Sequence, residues 1–319
     1  MRKPILLAAL VLLVMISMGQ EAGNLASQNN EVCQNYEVVS NSTSHPTVPN
    51  QRTANLQFNY PVNTSITNQA GIETDGSFFY VTVWNSSAIL KYSMTGNYIS
   101  QFSIPGVSGL RDLAYDGTYF YGGNAGSAIY EMDFTTGTLA GVINCPAGTE
   151  VRNICYNGND AFWVGNWATD LSLISRTGLL LNSISAQSHG CTGMYGSAYD
   201  SISIGGPYVW IIEANTSQNA VDLKKINIAS GNQTFQYNIL PDVGSGTLGG
   251  GLFIEPNILA GTVTLGGLVQ ETAIFGYDLN SFVDSIDVGI TNILTPISGT
   301  SLTNSEQISV NIQNFGSQS

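Results

Sequence analysis

The 319-residue sequence predicts an all-β fold assembled from repeats, a five-bladed β-propeller, and three observations carry that prediction. Asp75-Gly76, Asp116-Gly117 and Asn157-Gly158 recur at an interval of 41 residues (76 to 117, 117 to 158). Each of these turns precedes an aromatic pair, Phe79-Tyr80, Phe120-Tyr121 and Phe162-Trp163. Thr95-Gly96, Thr136-Gly137 and Thr177-Gly178 keep the same interval. Short β-prone runs lie between the two sets of turns, and a period of about 40 to 45 residues built this way marks a four-stranded propeller blade.

The elements follow in order. Leu56–Tyr60 is a β-run stopped by Pro61, as Tyr98–Ile104 is by Pro105 and Leu139–Cys145 by Pro146. Proline has no N–H for a ladder, so it marks where an outermost strand stops. The first repeat reads as strands Gly71–Thr74, Phe78–Trp84, Ala88–Met94 and Tyr98–Ile104; the second as Arg111–Tyr115, Tyr119–Asn124, Ala128–Phe134 and Leu139–Cys145. The third runs Val151–Tyr156, Ala161–Asn166, Asp170–Ser175 and Leu179–Ile184. A longer fourth gives Met194–Asp200, Tyr208–Ala214, Val221–Ile228 and Thr234–Leu240. The last supplies only Gly250–Ile254, Ile258–Val263 and Thr272–Asp278, and the Gly-rich run 244–251 beside it reads as a mobile loop. Three strands at the end and a spare one at the start complete one blade, so Leu56–Tyr60 is expected to pair with Thr272–Asp278 and close the ring. A sixth blade hidden in the long fourth or fifth repeat is the alternative.

The propeller is expected to span 54–283. Ahead of it, Arg2-Lys3, an apolar run Ile5–Ile16 and the small residues around Ser17 and Gly19 read as a cleaved secretory signal over 1–19. An Asn-, Gln- and Ser-rich flexible leader covers 20–53. Behind the propeller, 284–319 alternates like sandwich strands over Asp287–Ile290, Ile293–Pro296 and Gln307–Ile312. Roughly 35 residues are too few for a sandwich of about 100, so this segment reads as the truncated start of an Ig-like domain or a tail.

Composition narrows the partners. Twenty-two acidic residues against nine basic give a net charge of −13, which repels phosphate backbones and argues against nucleic acid. Once the signal is removed no apolar stretch is long enough to span a membrane, and a closed ring is expected to be monomeric. Cys33, Cys145, Cys155 and Cys191 are too few for a disulfide framework, although one bridge between Cys145 and Cys191 is conceivable. His45 and His189 form no zinc pattern, and no cofactor motif is present.

Successive loops of a blade alternate between two faces. This places Trp84, Asn85, Asn166, Trp167 and Glu213 on one face, together with Arg111, Asp112, Glu150, Arg152, His189 and Tyr195 at the entries to the innermost strands. Aromatic faces stack on sugar rings while amides and guanidinium groups fix orientation, so the set is a candidate ligand site at the central mouth. The competing reading wedges the two tryptophans between blades and pairs Arg111 and Arg152 with Asp112 and Glu150. Glu73, Asp112, Glu150 and Glu213 are the candidates for a glycosidase pair, which needs two carboxyls about 5 to 9.5 Å apart.

The stretches Gly109–Gly117, Trp163–Asp170 and Tyr195–Asp200 resemble secreted propeller proteins of Bacteroidetes-type bacteria, and the similarity covers about Thr53–Leu279. In that group the segment matching 287–316 resembles the opening of a CARDB-like Ig adhesion module, and a type IX secretion signal usually follows; no such signal occurs here. The resemblance implies an extracellular location and brings no catalytic residue. The expected function is a secreted, non-enzymatic propeller that binds an extracellular glycan or protein through its mouth. A spacer for an adhesion module and a propeller-type glycoside hydrolase or lyase are the alternatives.

Overall fold

A computed structural model of the chain describes residues 54–282 apart from 216, 245 and 247, together with 288–295 and 308–314. A single strand, β1 (Leu56–Pro61), comes first. Blade 1 is β2 (Gln69–Thr74), β3 (Phe78–Val83), β4 (Ile89–Ser93) and β5 (Tyr98–Phe102); blade 2 is β6 (Asp112–Tyr115), β7 (Phe120–Gly123), β8 (Ala128–Asp133) and β9 (Thr138–Asn144). Blade 3 comprises β10 (Asn153–Tyr156), β11 (Ala161–Gly165), β12 (Leu171–Ser175) and β13 (Leu180–Ile184); blade 4 comprises β14 (Met194–Asp200), β15 (Tyr208–Asn215), β16 (Ala220–Asn227) and β17 (Gln233–Asn238). Blade 5 joins β18 (Gly249–Pro256), β19 (Val263–Val269) and β20 (Ala273–Asp278) to β1. The first strands of the five sheets touch one another in a closed cycle, with β18 returning to β2. The fold is a five-bladed propeller.

The repeated turns have a local cause. Gly76, Gly117 and Gly158 all hold φ between 73° and 96°, which a side chain resists. The Asp75 carboxylate accepts from the N–H groups of Ser77 and Phe78, and its other oxygen accepts from the Tyr80 hydroxyl. Asp116 repeats the pattern with Thr118, Tyr119 and Tyr121, and Asp200 with Ile202, Ser203 and the Trp210 indole N–H. The Asp-Gly signal thus encodes a turn and its tether to the second strand at once.

Packing is divided among five apolar clusters, one at each interface between neighbouring blades. Leu113 and Phe120 meet Tyr80 and Ile89 between blades 1 and 2, and Tyr121 and Ile143 meet Ile154 and Phe162 between blades 2 and 3. Trp163 packs with Val209 and Ile211, Trp210 with Phe275 and Tyr277, and Phe253 with Phe79 and Val81. The fifth cluster joins the end of the chain to its beginning. Antiparallel pairing of β1 with β20 seals the same junction, with Phe58 opposite Gly276 and Tyr60 opposite Ile274. Burying Phe58 there contributes about 2–3 kcal/mol.

Two expectations in blade 5 need correction. Its middle strand is Val263–Val269, not Ile258–Val263, because Gly266 and Gly267 do not break the run; they make room for aromatic rings. A Cβ at Gly266 would stand 2.1 Å from Cζ of Phe253, and one at Gly267 2.7 Å from Cζ of Phe275. The expected mobile loop over 244–251 is likewise part strand from Gly249 onward. A Cβ at Gly251 would lie 2.3 Å from the Ile72 nitrogen, so only glycine lets β18 approach β2 this closely.

The conceivable Cys145–Cys191 bridge does not form; Cys145, Cys155 and Cys191 are free thiols. The two residues belong to different blade interfaces, Cys145 to that of blades 2 and 3 and Cys191 to that of blades 3 and 4. The signal over 1–19 and the leader over 20–53 lie outside the described residues. As a separate unit, β21 (Val288–Thr295) and β22 (Ser309–Asn314) form an antiparallel hairpin. Among the described residues no helix is long and apolar enough to cross a membrane.

Candidate functional site

Trp84 and Trp167 occupy the loops after the second strands of blades 1 and 3, and both indoles are open to solvent, with relative exposures of 37% and 43%. Trp167 is held there by its backbone. Its φ of 34° lies in the left-handed region, rare for a bulky residue. The turn is pinned by the Thr169 N–H donating to the Asn166 carbonyl at 2.7 Å and by Met194 N–H donating to the Trp167 carbonyl at 2.9 Å.

Each indole carries an arginine. The guanidinium carbon of Arg111 lies 4.7 Å from the Trp84 ring centre, and that of Arg152 lies 4.0 Å from Trp167 and 5.4 Å from Tyr195. Tyr195 in turn meets Trp167 edge-on at 5.1 Å. Burial and the neighbouring charge of Arg111 push the Arg152 guanidinium down to about 10, and burial also lowers Arg111. Both remain cations at neutral pH. The array thus runs from blade 1 to blade 4 as Trp84, Arg111, Tyr195, Arg152 and Trp167.

The pairing of these arginines with Asp112 and Glu150, the competing reading of the sequence, does not occur. Asn166 intervenes: its Oδ1 accepts from Arg152 Nε at 2.9 Å and its Nδ2 donates to Glu150 Oε2 at 2.5 Å. Arg111 immediately precedes β6, whose first residue, Asp112, turns its side chain into the interior. Arg111 Nε is buried without a hydrogen-bond partner. Arg176, which sequence reasoning passed over, shows the contrast, since it bonds Asp116 at 2.7 Å and also Asp160.

Three of the expected site residues turn inward. Asp112 is fully buried, and its Oδ2 accepts from the backbone N–H groups of Ile154 and Ser197, both at 3.0 Å. It ties blade 2 to blades 3 and 4 across the axis. His189 is buried too: its Nδ1 accepts from Cys191 N–H, so Nε2 carries the proton donated to the Thr169 carbonyl. Burial holds His189 below the usual imidazole range. Glu213 is ion-paired with Lys224 at 2.6 Å and accepts from Thr192. Burial favours its neutral form, but Lys224 and Thr192 outweigh burial and keep it charged. Of the rest, Trp84, Asn85 and Trp167 are exposed, Arg111 is half-buried, and Arg152, Asn166 and Tyr195 are buried beside them.

The carboxylates do not supply a hydrolytic pair in an open mouth. Burial pushes Glu73 well above the usual range, as it does Asp112, and the two repel one another along the axis. Glu213 is engaged by Lys224, which leaves Glu150 as the exposed member of the four. An open polar depression of about 520 Å³ lies elsewhere, at the outer strands of blade 4, lined by Gln218, Asp222, Gln233 and Asn238. Among the described residues no group of three or more His, Cys, Asp or Glu side chains is arranged to hold a metal.

No family model matches the chain, and no curated protein matches it. Among solved structures it is similar to the crystal structure of Myxococcus xanthus glutaminyl cyclase, with a TM-score of 0.54. That likeness covers 70% of this chain and 95% of the other at 15% sequence identity. It is a likeness of fold.

Proposed function

We propose that this chain is a secreted, non-enzymatic propeller that binds an extracellular glycan through the Trp84–Trp167 mouth, with an Ig-like adhesion segment following it in sequence. The observation that carries the reading is the exposure of both indoles on loops of blades 1 and 3. Tryptophan is costly to leave in water, and an exposed indole beside fixed polar groups is the usual means of gripping a sugar ring. A spacer needs no such surface, and its tryptophans would be sealed between blades as Trp163 and Trp210 are. The likeness to a glutaminyl cyclase, at 15% identity, transfers no catalytic residue to this chain.

A glycan array probed with the wild-type chain and with Trp84→Ala/Trp167→Ala tests the reading. Signals lost in the double variant support it, whereas equal signals from the two proteins place any ligand elsewhere.

A further inference from the structure

The mouth has an unmet electrostatic need. Arg152 is 8% exposed, yet its one side-chain hydrogen bond among the described residues goes to the neutral Asn166. Its two Nη groups bond to none of those residues. Arg111 makes no side-chain hydrogen bond there, and its Nε is shut away from water. Burial and the charge of Arg111 lower the affinity of Arg152 for a proton, and the two cations share Tyr195 as a neighbour. A charge as far out of water as that of Arg152 is ordinarily paired, and a like charge beside it raises the cost further. The chain is not short of carboxylates, with 22 against nine basic residues. Other cations have been given theirs, Arg176 by Asp116 and Lys224 by Glu213.

We infer that the mouth receives an anion, the carboxylate of a uronic-acid sugar, with Arg111 and Arg152 taking the carboxylate while the exposed indoles of Trp84 and Trp167 take ring faces. A guanidinium presents parallel N–H donors that match the two oxygens of a carboxylate. With Nε of Arg152 committed to Asn166, its outer edge is fixed in orientation and left for the ligand. An acidic peptide would satisfy the charge but not the pair of open indoles. A uronic acid brings a carboxylate and a ring face on one residue. The inference rests on the glycan reading above.

The test is calorimetry on the full chain with four probes: a short oligogalacturonate, its carboxyl-reduced neutral counterpart, a sulfated oligosaccharide and oligoglutamate. Oligogalacturonate should bind at least about ten-fold more tightly than the other three, the size of one charge-assisted contact. Its affinity should fall with added salt. Arg111→Gln/Arg152→Gln, shown to be folded by circular dichroism, should lose that preference. Equal binding of the reduced sugar, or tighter binding of the sulfated sugar or of oligoglutamate, overturns the inference. If the reduced sugar binds equally well and Trp84→Ala/Trp167→Ala abolishes it, the glycan reading stands while the anion is wrong. If oligogalacturonate needs the arginines but not the indoles, the anion stands and the stacking role fails. No binding of any saccharide overturns both.

Discussion

Arg152 lies 4.0 Å above the centre of the Trp167 indole with no carboxylate paired to it among the described residues, and Arg111 stands close enough to lower its hold on a proton. The ring contact stabilises by about 0.5–1 kcal/mol, and the repulsion between arginines offsets it. Arg152→Gln keeps a polar group near Asn166 and removes the repulsion. It should therefore change folding free energy by less than about 1 kcal/mol, a melting shift within about 4 °C. A loss above about 3 kcal/mol in urea unfolding would make Arg152 a strut rather than a ligand group.

Ring closure depends on Phe58 lying over Gly276, where a Cβ would stand 2.3 Å from the ring. Gly276→Ala should cost roughly 1–3 kcal/mol by overpacking. Phe58→Ala should cost about 3–4 kcal/mol through the cavity it opens. With the ring gone the added methyl has room, so the double variant should cost clearly less than the two singles together. Additive costs in urea unfolding would show that the ring and the glycine do not meet.

Asp112 gives a pH signature with a definite sign. Burial makes its folded carboxyl hold a proton well above the unfolded value of about 3.9. The folded state therefore binds more protons in that window, and the stability of the protonated form is lost as pH rises through the folded pKa. Asp112→Asn imitates that form and leaves an oxygen for the N–H groups of Ile154 and Ser197. The variant should match wild type below about pH 4 and exceed it as the pH rises above that value. His189 acts in the opposite direction: its lowered folded pKa means stability falls as pH drops below about 6.5. That contribution is common to both proteins and cancels in the difference. A variant less stable than wild type at pH 8 would show that the charged carboxylate is what the axis requires.

What the sequence disclosed depended on whether the cause was local. The turns at Gly76, Gly117 and Gly158 were legible because the positive φ and the Asp tether lie within a few residues of one another. Counting three strands after Gly249 and one before Pro61 was enough to foresee the β1–β20 junction, since an unpaired strand must find an edge. The strand through Gly266 and Gly267 was not legible because what those glycines serve is distant in sequence: Phe253 and Phe275 lie on neighbouring strands and need the space. Asp112 was placed at the mouth for a similar reason, since its partners stand 42 and 85 residues away. Arg152 and Glu150 looked like a pair by proximity along the chain, and only the intervening Asn166 amide shows otherwise. Whether Trp84 and Trp167 face water is set by their contacts with other blades, which one-dimensional spacing does not carry.

The central claim, that Trp84 and Trp167 form the ligand surface, is tested most directly by oxidative footprinting of the four tryptophans read by mass spectrometry. Without ligand, Trp84 and Trp167 should oxidise readily, while Trp163 and Trp210, at 2% and 0% exposure, should not. With saturating oligogalacturonate both mouth residues should be protected several-fold and Trp163 and Trp210 should be unchanged. Undiminished oxidation of Trp84 and Trp167 under saturating saccharide would contradict the account.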